Sequence, residues 1–539
     1  MAGGHECRQV LTGKADELMI TLKSYICGEW VQGAEPLRPL IDPSTGETVA
    51  QTGTAGVDFD AALRYGREVG GPALRAMTFA ERGAMLKAMS KALHEAREEL
   101  IAASMANAGT PRGDSKFDID GATGTLAYYA SLGKRLGDRR VLVEGPGEQL
   151  TRSARFWGHH IKLPRRGVAV HINAFNFPAW GLGEKAAVAL LAGVPVVTKP
   201  ATATALLAFR CMEVLVESGV LPAGALQFVA GSAGDMLDHM PGQDVLAFTG
   251  SGETGAMLRG FERVVGKSVR INVEADSLNS AILAPDVEAG SDAYLMFIRD
   301  TAREMTQKTG QKCTAVRRIF VPSGMVDRVT EDLGEQLSLV KIGMPSAEGA
   351  RMGSLASEQQ YQDVIQGLAE LQESGAAVAW GSATDINVLG RKADEGYFVG
   401  PVLLRHDDPA NASLVHSKEV FGPIATLLPY SDMAEVAGWV ALGEGTLLTS
   451  LYTDDRKGLG EMIAELAPHT GRLLIGSRKI ADQAISPGMV LPSCVHGGPG
   501  RAGGGEELGG LRGLDFYMQR TSVQGDRALL DRTLQPETA

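Results

Sequence analysis

Two residues on separate segments of the chain carry the side chains that acyl-enzyme chemistry requires. Cys313 offers a thiol, and Glu274, 39 positions earlier, offers a carboxylate. A cysteine thiolate can attack a carbonyl carbon to form a thioester, and a carboxylate can then activate the water that hydrolyses it. Lys312 and a glycine-containing turn directly precede Cys313, and such an environment can lower a thiol pKa. A buried, inert thiol is the ordinary alternative, and Cys211, on the apolar face of a predicted helix, fits that alternative.

An amide side chain at the end of a predicted strand is a candidate for stabilising developing negative charge. Asn176 lies in the segment 171–178, which closes with proline. An amide donor that meets an oxyanion contributes roughly 3 kcal/mol in comparable sites. An asparagine in a turn before proline is otherwise common and structural. We expect His171, in the same segment, to pack within its strand and not to bind a ligand.

A glycine pattern at 250–255 points to a phosphate. The segment reads Gly-x-Gly-x-x-Gly, follows a predicted strand and opens a predicted helix. Glycines let a phosphate approach the backbone, and the free N–H groups of a helix N-terminus attract it. The ribose-binding acid of this pattern usually lies about 20 residues on, and assigning Glu274 to that role would remove the candidate base. A plain strand-to-helix turn remains the alternative.

Lys199 ends the predicted strand 194–199, where the ribose of a dinucleotide would lie. No acidic residue occurs between Lys199 and Arg210. The segment therefore contains no negative charge that would repel the 2′-phosphate of NADP and weaken its binding. A solvated lysine at a strand end is an equally good interpretation of Lys199 alone. Glu419, at the start of the run 419–423, places a carboxylate ahead of a turn and is ambiguous by itself.

Alternating strands and helices must position these side chains. Apolar, β-rich runs separated by single helical segments predict a doubly wound parallel sheet, with ligands beyond the carboxyl ends of its strands. The predicted strands are 168–172, 194–199, 226–230 and 245–248, and the helices between them are 182–192 and 206–218. A second α/β region from about 279 contains predicted helices at 293–308, 358–373 and 433–441 and a strand at 318–321.

Several segments outside this alternation are predicted to be loops. The glycine-rich stretch 496–505 is either a low-complexity linker or a shaped loop at a domain or subunit boundary. Arg501 within it and Glu506 and Glu507 directly after it favour the shaped loop. The segments 353–357 and 381–393 are predicted surface loops. Residues 1–18 are polar and unpatterned, which predicts a flexible tail or an initiation site at Met19.

Composition bounds the function. The 539 residues are 44% hydrophobic and 22% charged, ordinary values for a soluble globular protein. A net charge of −12 argues against nucleic acid as the main partner. The five widely spaced cysteines show no metal-ligand spacing, which predicts reduced thiols, a cytoplasmic protein and no metal site. The longest apolar stretch, 186–197, is too short to span a membrane.

Six motifs in order make the chain resemble the aldehyde dehydrogenase superfamily. The matching segments are Asn-Phe-Pro at 176–178, Lys-Pro-Ala at 199–201, Phe-Thr-Gly-Ser at 248–251, Glu274, Gly-Gln-x-Cys ending at 313, and Glu-x-Phe-Gly-Pro from 419. The resemblance implies an α/β fold with a doubly wound cofactor domain, an α/β catalytic domain and a small β oligomerisation element. The implied ranges are 1–18 for the tail, 19–148 and 165–274 for the NAD(P)-binding domain, 275–490 for the catalytic domain, and 149–164 and 491–539 for the oligomerisation element with the C-terminal tail.

The resemblance also implies a role for each motif residue. Cys313 is the implied nucleophile, Asn176 with the Cys313 backbone N–H the oxyanion hole, and Glu274 the base that activates water. Ser251 would lie at the cofactor pyrophosphate, Lys199 at the adenosine ribose or its phosphate, and Glu419 at the nicotinamide ribose. The full implied cofactor set is Lys199, Thr202, Gly231, Gly250, Ser251, Gly255, Glu419 and Phe421.

Departures from the common pattern indicate one branch of the superfamily. Many members carry glutamate where this chain has Thr202, so NADP is the implied cofactor, with NAD weaker. The segments 172–178, 274–277 and 496–507 resemble members that oxidise semialdehydes carried on a CoA thioester in phenylacetate and benzoyl-CoA catabolism. Substrates such as 3-oxo-5,6-dehydrosuberyl-CoA semialdehyde or 3,4-dehydroadipyl-CoA semialdehyde are therefore expected. A broad NADP-dependent dehydrogenase of free aldehydes is the alternative.

The same resemblance sets expectations about partners. It implies a homodimer or homotetramer, and the chain lacks the hydratase-like extension of bifunctional relatives. In such a pathway a separate enzyme of the enoyl-CoA hydratase type would open the ring. Five arginines could meet CoA phosphates, although solvated surface arginines are the favoured interpretation: Arg135, Arg139, Arg140, Arg165 and Arg166.

Overall fold

The computed structural model describes residues 19–535, so the predicted tail at 1–18 lies outside the described residues. The first part of the chain forms short strands and then a group of long helices that pack against one another and against the helices of the first seven-stranded sheet. The strands are β1 (Ile20–Leu22), β2 (Ser24–Ile26), β3 (Glu29–Val31), β4 (Arg38–Ile41), β5 (Thr48–Thr52), β6 (Leu142–Gln149) and β7 (Phe156–Pro164). The helices are α1 (Phe59–Tyr65), α2 (Gly71–Ala76), α3 (Phe79–Glu95), α4 (Arg97–Ala108) and α5 (Arg112–Leu136).

A seven-stranded sheet carries the predicted cofactor site. Its strands run in the order β12-β11-β8-β9-β10-β2-β3, and the first five are parallel. The buried strands are β8 (Ala169–Ile172), β9 (Val196–Lys199), β10 (Leu226–Phe228), β11 (Val245–Thr249) and β12 (Arg270–Glu274). The connecting helices are α6 (Pro178–Ala192), α7 (Ala205–Glu217), α8 (Gly252–Gly260) and α9 (Glu262–Gly266). The predicted doubly wound sheet is confirmed.

The register of this sheet brings the chemistry-bearing residues to one edge. Ile172 pairs with Lys199 across β8 and β9, and Thr249 pairs with Glu274 across β11 and β12. All four residues end their strands, so Lys199 and Glu274 open onto the same crevice beyond the carboxyl ends, where α/β sheets bind ligands.

A second seven-stranded sheet forms the other large layer. It runs β16-β18-β19-β14-β13-β20-β21, parallel except for the edge strand β16. The strands of this region are β13 (Asn279–Leu283), β14 (Val316–Pro322), β15 (Ile342–Gly343), β16 (Ala377–Gly381), β17 (Val388–Leu389), β18 (Val402–Arg405), β19 (Ile424–Tyr430), β20 (Thr449–Tyr452) and β21 (Leu473–Gly476). Its helices are α10 (Asp292–Thr306), α11 (Val326–Ser338), α12 (Glu358–Glu373), α13 (Met433–Ala441) and α14 (Leu459–Leu466).

The end of the chain returns to the first layer. It forms β22 (Val495–Gly497), β23 (Glu506–Leu508), α15 (Leu511–Tyr517), β24 (Met518–Asp526) and α16 (Arg527–Leu534). β24 pairs with β7, and β7 with β6, in an antiparallel sheet. Because β6 begins at Leu142, this sheet includes residues that precede the predicted domain boundary at 149. The domain ranges remain a prediction.

The glycine-rich stretch 496–505 is a shaped loop and not a linker. The Ala275 N–H donates to the carbonyl of Ala502 (3.1 Å), and the Arg501 N–H donates to that of Glu444 (2.9 Å). Gly503 has φ +105°, and a Cβ there would lie 2.1 Å from the carbonyl oxygen of Val273. The loop therefore fits between the edge strand β12 and the second sheet, and only glycine fits its closest approach.

One of the two predicted surface loops is corrected. The segment 353–357 is not a surface loop, because residues 353–356 are buried. The Gly353 carbonyl accepts a hydrogen bond from the Thr309 hydroxyl (3.1 Å), and the Ala356 N–H donates to the Gln311 side chain (3.0 Å). The segment therefore supports the loop that carries Cys313. The other predicted surface loop, 381–393, is largely exposed and contains β17.

The helix predicted at 293–308 ends at Thr306. Lys308 and Thr309 both have φ +57°, a left-handed conformation that strains residues with a side chain. The Lys308 N–H donates to the buried Asp114 carboxylate (2.9 Å), which helps to hold this turn. The strained turn delivers Cys313 to the crevice between the two sheets.

The remaining predictions about the chain concern membranes and thiols. No helix among residues 19–535 has the length and apolar character needed to cross a bilayer. The cysteines in this part of the chain are all free thiols: Cys27, Cys211, Cys313 and Cys494.

Candidate active site

Cys313, Glu274 and Asn176 meet between the two sheets. All three line the same crevice, although they come from the loop after α10, the end of β12 and the segment before α6. The Asn279 side chain fixes the Cys313 loop by donating to the Cys313 carbonyl (2.7 Å) and to the Ala315 carbonyl (2.8 Å). The sequence-predicted constellation is therefore brought together in space.

A histidine joins this cluster. His496 Nε2 lies 3.0 Å from Glu274 Oε1 and 3.9 Å from Cys313 Sγ, and the ring is 2% exposed. Because an ionised carboxylate only accepts hydrogen bonds, the Nε2–H must donate to Glu274. The other oxygen, Glu274 Oε2, accepts from the Thr249 hydroxyl (3.2 Å). Glu274 is thus held from both sides.

These contacts set the protonation of the cluster. The pKa of Glu274 is lowered to about 2, although burial acts in the opposite direction, because His496 and the positive charge of Lys185 favour the carboxylate. The pKa of His496 is raised, against the effect of burial, by the charge of Glu274 and the hydrogen bond with it. The pKa of the Cys313 thiol is raised well above its usual value by burial and by the Glu274 charge, which Arg472 opposes. The resting cluster therefore contains a thiol and a carboxylate.

The predicted effect of Lys312 on the thiol is corrected. The Lys312 ammonium makes a buried ion pair with Glu304 (2.6 Å), and these side chains are 1% and 0% exposed. It also donates to the Gln307 side chain (2.8 Å). Its charge is neutralised locally, so it does not lower the pKa of Cys313 in the resting protein.

Asn176 directs its amide toward the Cys313 loop. Its Nδ2 donates to the carbonyl of Gln311 (3.1 Å), two residues before the cysteine, and the side chain is 8% exposed. The group is therefore a buried donor beside Cys313, placed to exchange this carbonyl for a substrate oxygen.

A buried polar network extends behind Glu274. Lys185 donates to the Thr249 hydroxyl (2.7 Å), which in turn donates to Glu274. The same ammonium pairs with Glu507 (3.1 Å) and Glu184 (3.4 Å). Burial raises the pKa of Glu184 to about 7. The network gives Glu274 a chain of exchangeable protons on the side away from Cys313.

A narrow apolar pocket leads to Cys313 from one side. Its volume is about 40 Å³. The rings of Phe177 and Trp180 lie edge to face at 5.7 Å, and Phe117 contacts both. The polar end of the pocket holds Cys313, Asn176 and His496, together with Glu274. The pocket suits a slim, unbranched chain that ends at the thiol.

A wide cleft of about 950 Å³ reaches Cys313 from the other side. Five members of the predicted cofactor set lie on its wall: Lys199, Gly250, Ser251, Glu419 and Phe421. The remaining three do not lie on that wall: Thr202 begins a 3₁₀ turn just after it, Gly231 packs against Gly53 and Thr54, and Gly255 packs against Val273. The roles of all eight residues stay predictions.

The cleft contains acidic and basic groups that a dinucleotide would meet. Burial lowers the pKa of Lys199 to about 8, and its Nζ donates to the Pro200 carbonyl (2.8 Å). Glu419 accepts from the Ser277 N–H (2.9 Å) and pairs with Arg317 (3.3 Å), and burial raises its pKa to about 7. Both side chains are pre-positioned by contacts within the protein.

The N-terminus of α8 is already partly capped. The Ser251 hydroxyl accepts from the Thr254 N–H (3.3 Å), and the Asp276 carboxylate accepts from the Gly252 N–H (3.0 Å). A pyrophosphate at this helix would therefore meet the charge of Asp276 before it meets free N–H groups. Arg501 is a cation on the same cleft wall.

His171 and Cys211 have the structural roles expected of them, and the interpretation of one arginine is corrected. His171 is buried and hydrogen-bonded to Tyr517 (3.1 Å), and Cys211 is buried with a raised pKa. Among the arginines considered for CoA phosphates, Arg165 is buried and donates to the carbonyls of Gly242 and Gln243, so it is neither solvated nor free for a phosphate. The other four are exposed and lie outside both pockets described above: Arg135, Arg139, Arg140 and Arg166.

Comparison with known proteins identifies the family. A model of the aldehyde dehydrogenase family matches residues 30–523. The chain belongs to the aldehyde dehydrogenase family. It is an enzyme that oxidises aldehydes, and membership of this family supports a nicotinamide cofactor.

Relatives in the aldehyde dehydrogenase family cover most of the chain. The 3,4-dehydroadipyl-CoA semialdehyde dehydrogenase of Aromatoleum evansii is 44% identical over 478 residues, 89% of this chain and 93% of the relative. The NADP(+) succinate-semialdehyde dehydrogenase GabD of Escherichia coli strain K12 is 29% identical over 447 residues, 82% of this chain and 87% of its own length.

Solved aldehyde dehydrogenases share the fold. The NAD-dependent aldehyde dehydrogenase from Sinorhizobium meliloti superposes with a TM-score of 0.82 at 22% identity, covering 94% of this chain and 95% of that one. An aldehyde dehydrogenase from Bacillus cereus, solved as an NAD+ complex, gives 0.79 at 24% identity, with coverage of 94% and 97%. The expected family and fold class are both confirmed.

His496, Lys185 and Glu507 are the site residues that sequence reasoning missed. His496 lies 183 residues after Cys313 in a glycine-rich stretch, and Lys185 lies on the buried helix α6, whose sequence is otherwise almost entirely apolar. The stretch 496–507 served only as a mark of the branch, and the signals for single residues were a histidine beside glycines and a lysine among apolar residues. Each signal is weak alone, because only the fold shows that both approach Glu274.

Proposed function

We propose that this aldehyde dehydrogenase oxidises a semialdehyde carried on a CoA thioester to the carboxylic acid, with NADP+ as oxidant, in the breakdown of aromatic acids. The observation that carries the chemistry is the meeting of a thiol, an amide donor and a held carboxylate around one crevice. The substrate class rests on the 44% identity to a relative named for 3,4-dehydroadipyl-CoA semialdehyde.

The first step is addition of the Cys313 thiolate to the aldehyde carbon. The negative charge that develops on the aldehyde oxygen meets Asn176 Nδ2 and the Cys313 backbone N–H, at a benefit of about 3 kcal/mol for each well-placed donor. Since burial and Glu274 raise the pKa of the thiol, the proton has to leave as the substrate binds. Glu274 and the His496 ring are the groups nearest to accept or direct it.

Addition gives a thiohemiacetal, and loss of its hydride to the nicotinamide cofactor would leave the Cys313 thioester. The last step is hydrolysis of this thioester. Glu274 takes a proton from water, and the hydroxide attacks the thioester carbonyl, releasing the carboxylic acid and the thiol. To act, Glu274 must turn at least one oxygen from its partners, His496 and Thr249, toward the water. For this proton to leave, Lys185 first passes a proton to Glu184 or Glu507, and Thr249 then gives its proton to Lys185 and takes one from Glu274.

The residues of the wide cleft fit NADP+. When bound, NADP+ supplies the hydride acceptor. On the cleft wall, Lys199 offers a buried amine for the 2′-phosphate, and Glu419 and Phe421 are the residues proposed for the nicotinamide end. Thr202, in the turn just after that wall, brings no repelling charge. The named preference of the E. coli relative for NADP(+) supports this assignment.

The narrow apolar pocket favours an unbranched acyl chain. Phe117, Phe177 and Trp180 leave room of about 40 Å³ near the thiol. A CoA group is far larger than this space, so it would remain outside the pocket while the extended acyl chain reaches Cys313. We further propose a cytoplasmic homodimer or homotetramer that receives its substrate from a separate ring-opening enzyme of the enoyl-CoA hydratase type.

The deciding experiment compares matched aldehydes. Initial rates of NADPH formation are measured with 3,4-dehydroadipyl-CoA semialdehyde and with the free semialdehyde acid of equal length. We expect kcat/KM to favour the CoA form by at least about 100-fold, corresponding to about 3 kcal/mol of added transition-state binding.

The control is the Cys313→Ala variant, which should form no NADPH with either aldehyde. Equal kcat/KM for the two aldehydes would contradict the CoA proposal and favour a broad dehydrogenase of free aldehydes. Activity of Cys313→Ala at the wild-type level would contradict the nucleophile itself.

A further inference from the structure

The Cys313, His496 and Glu274 side chains form a compact set of metal-ligand atoms. The sulfur, one imidazole nitrogen and one carboxylate oxygen all lie within 4.8 Å of one another. The Cys313 Sγ to His496 Nε2 distance is 3.9 Å, and the His496 Nε2 to Glu274 Oε1 distance is 3.0 Å. Around a tetrahedral zinc ion, with bonds of about 2.3 Å to sulfur and about 2.0 Å to nitrogen or oxygen, neighbouring ligand atoms lie about 3.3–3.6 Å apart. Each of these two distances would change by about 0.3 Å to reach this geometry. The third distance, from Cys313 Sγ to the carboxylate oxygen, is within 4.8 Å.

We propose that these three side chains bind one zinc ion reversibly and that turnover stops while the ion is held. A thiolate with an imidazole and a carboxylate is a donor set that selects zinc over magnesium or calcium, which prefer oxygen ligands. Three protein ligands leave a fourth coordination position for water. The metal would occupy the lone pairs that the proposed nucleophile and base need.

The surroundings of the cluster suit a bound cation. Glu274 Oε2 is oriented by the Thr249 hydroxyl (3.2 Å), as the outer contacts of a metal ligand usually are. His496 Nδ1 is buried and has no hydrogen-bond partner within residues 19–535. Zinc binding at Nε2 moves the ring proton to Nδ1, which has no acceptor among these residues, so this nitrogen does not add to the affinity for zinc.

The proton and charge balance of binding follows from these ligands. Bonds form from zinc to Cys313 Sγ, His496 Nε2 and Glu274 Oε1, and the thiol proton of Cys313 is released to water. The thiolate and the carboxylate then offset the two charges of the ion. Among the charged neighbours, Arg472 and Lys185 oppose the metal, while Glu184 and Glu507 favour it.

The test measures metal binding to the full-length protein without aldehyde or cofactor, so its result is independent of the CoA proposal. Titration with Zn²⁺ alone should show one ion per chain, and Co²⁺ in its place should give a thiolate-to-metal charge-transfer band. Bound zinc should block alkylation of Cys313 by iodoacetamide and should abolish NADPH formation until EDTA is added.

Three variants decide the outcome. His496→Phe keeps a ring but removes the nitrogen, and Glu274→Gln keeps the shape but removes the charge. Each should weaken zinc binding at least about tenfold. Cys494→Ser, at an exposed cysteine outside the cluster, should bind zinc as the wild type does. Unchanged zinc affinity in His496→Phe and Glu274→Gln, absence of the thiolate band, or loss of binding only in Cys494→Ser would overturn the proposal.

Discussion

The two oxygens of Glu274 have different partners, and this difference defines its role at the residue scale. His496 holds one oxygen and Thr249 the other. We expect Glu274→Gln to form the Cys313 thioester but to hydrolyse it about 10²- to 10⁴-fold more slowly, because the amide cannot take a proton from water. Rapid mixing should show a burst of NADPH followed by a slow steady rate. Cys313→Ala should show no burst, and an unchanged steady rate in Glu274→Gln would reject the base assignment.

His496 keeps Glu274 ionised. The lowered pKa of about 2 means that the wild-type base stays charged as the pH falls toward that value. Burial raises the pKa of Glu274, and the charge and hydrogen bond of His496 lower it. In His496→Gln the charge is removed, so the pKa of Glu274 should rise. The variant should then lose steady-state kcat at a higher pH than the wild type as the solution is acidified.

The matched control for this pH effect is His171→Gln. His171 is another buried histidine, but it contacts Tyr517 and not Glu274. In His171→Gln, kcat should fall over the same acidic pH range as in the wild type. If kcat of His496→Gln also falls over the wild-type pH range, His496 does not set the ionisation of Glu274.

Thr202 tests the cofactor preference. We expect Thr202→Glu to lower kcat/KM for NADP+ by about 10- to 100-fold, since a carboxylate near the 2′-phosphate costs about 1–3 kcal/mol at intermediate effective dielectric. The kcat/KM for NAD+ should fall less or rise. Thr202→Gln, of equal length without the charge, should keep the NADP+ preference, and equal losses in the two variants would count against electrostatic repulsion.

At the scale of elements, β22 carries His496 to the crevice, and the loop that joins β22 to β23 lies against β12. Gly503 is the position of closest approach, where a Cβ would lie 2.1 Å from the Val273 carbonyl oxygen. We expect Gly503→Ala to destabilise the protein by about 1–3 kcal/mol and to lower kcat, because the loop must move away from β12 and takes His496 with it. Thermal unfolding and steady-state kinetics measure the two effects.

Gly504→Ala is the matched control for this substitution. Gly504 also has a positive φ of +64°, but a Cβ there would meet nothing within 4 Å. The variant should therefore carry the backbone strain of about 1–2 kcal/mol and keep its kcat. Equal losses of kcat in Gly503→Ala and Gly504→Ala would show that the contact with Val273 is not what positions the loop.

The elements predicted best from the sequence are helices whose hydrophobic pattern lies within one continuous segment. Helices α12 and α13 have the predicted bounds, because each is a continuous helical pattern between clear breaks. The helix predicted at 182–192 begins at Pro178, since proline is well suited to the first turn of a helix. The burial of 353–356 was not predictable, because it depends on contacts with the distant Cys313 loop.

The same distinction holds for the site. Cys313, Glu274 and Asn176 could be predicted as a group because each stands in a short motif, and the structure brings them together. The contacts that set their protonation come from His496 and Lys185, far away in sequence. The prediction that Lys312 lowers the pKa of Cys313 was wrong because Glu304, which neutralises Lys312, is not recognisable as its partner from sequence alone.

At the scale of the whole molecule, buried carboxyl groups make stability depend on pH. Burial raises the pKa of Glu419 to about 7, above its ordinary value of 4.5. The unfolded chain therefore releases this proton first, so the contribution of Glu419 to stability is largest below pH 4.5 and falls as the pH rises to about 7. The difference is about 3 kcal/mol, at 1.36 kcal/mol for each pKa unit.

Urea unfolding of the cofactor-free protein at pH 5 and pH 7 measures this effect. The free energy of unfolding should fall more between these pH values in the wild type than in Glu419→Gln, which has no proton to release there. Parallel behaviour of the two proteins would show that Glu419 does not titrate in this range. Glu184, whose pKa is also raised to about 7, acts in the same direction and stays present in both proteins.

The separation of 183 residues between Cys313 and His496 has a consequence for synthesis. The ribosome synthesises Glu274 and Cys313 well before it reaches β22 and β23. Until then the nascent chain holds a cysteine without the histidine and glutamate that complete its surroundings. The reactive centre is thus assembled only after β22 and β23 have been synthesised, and a chain that stops between Cys313 and His496 carries the proposed nucleophile without the complete site.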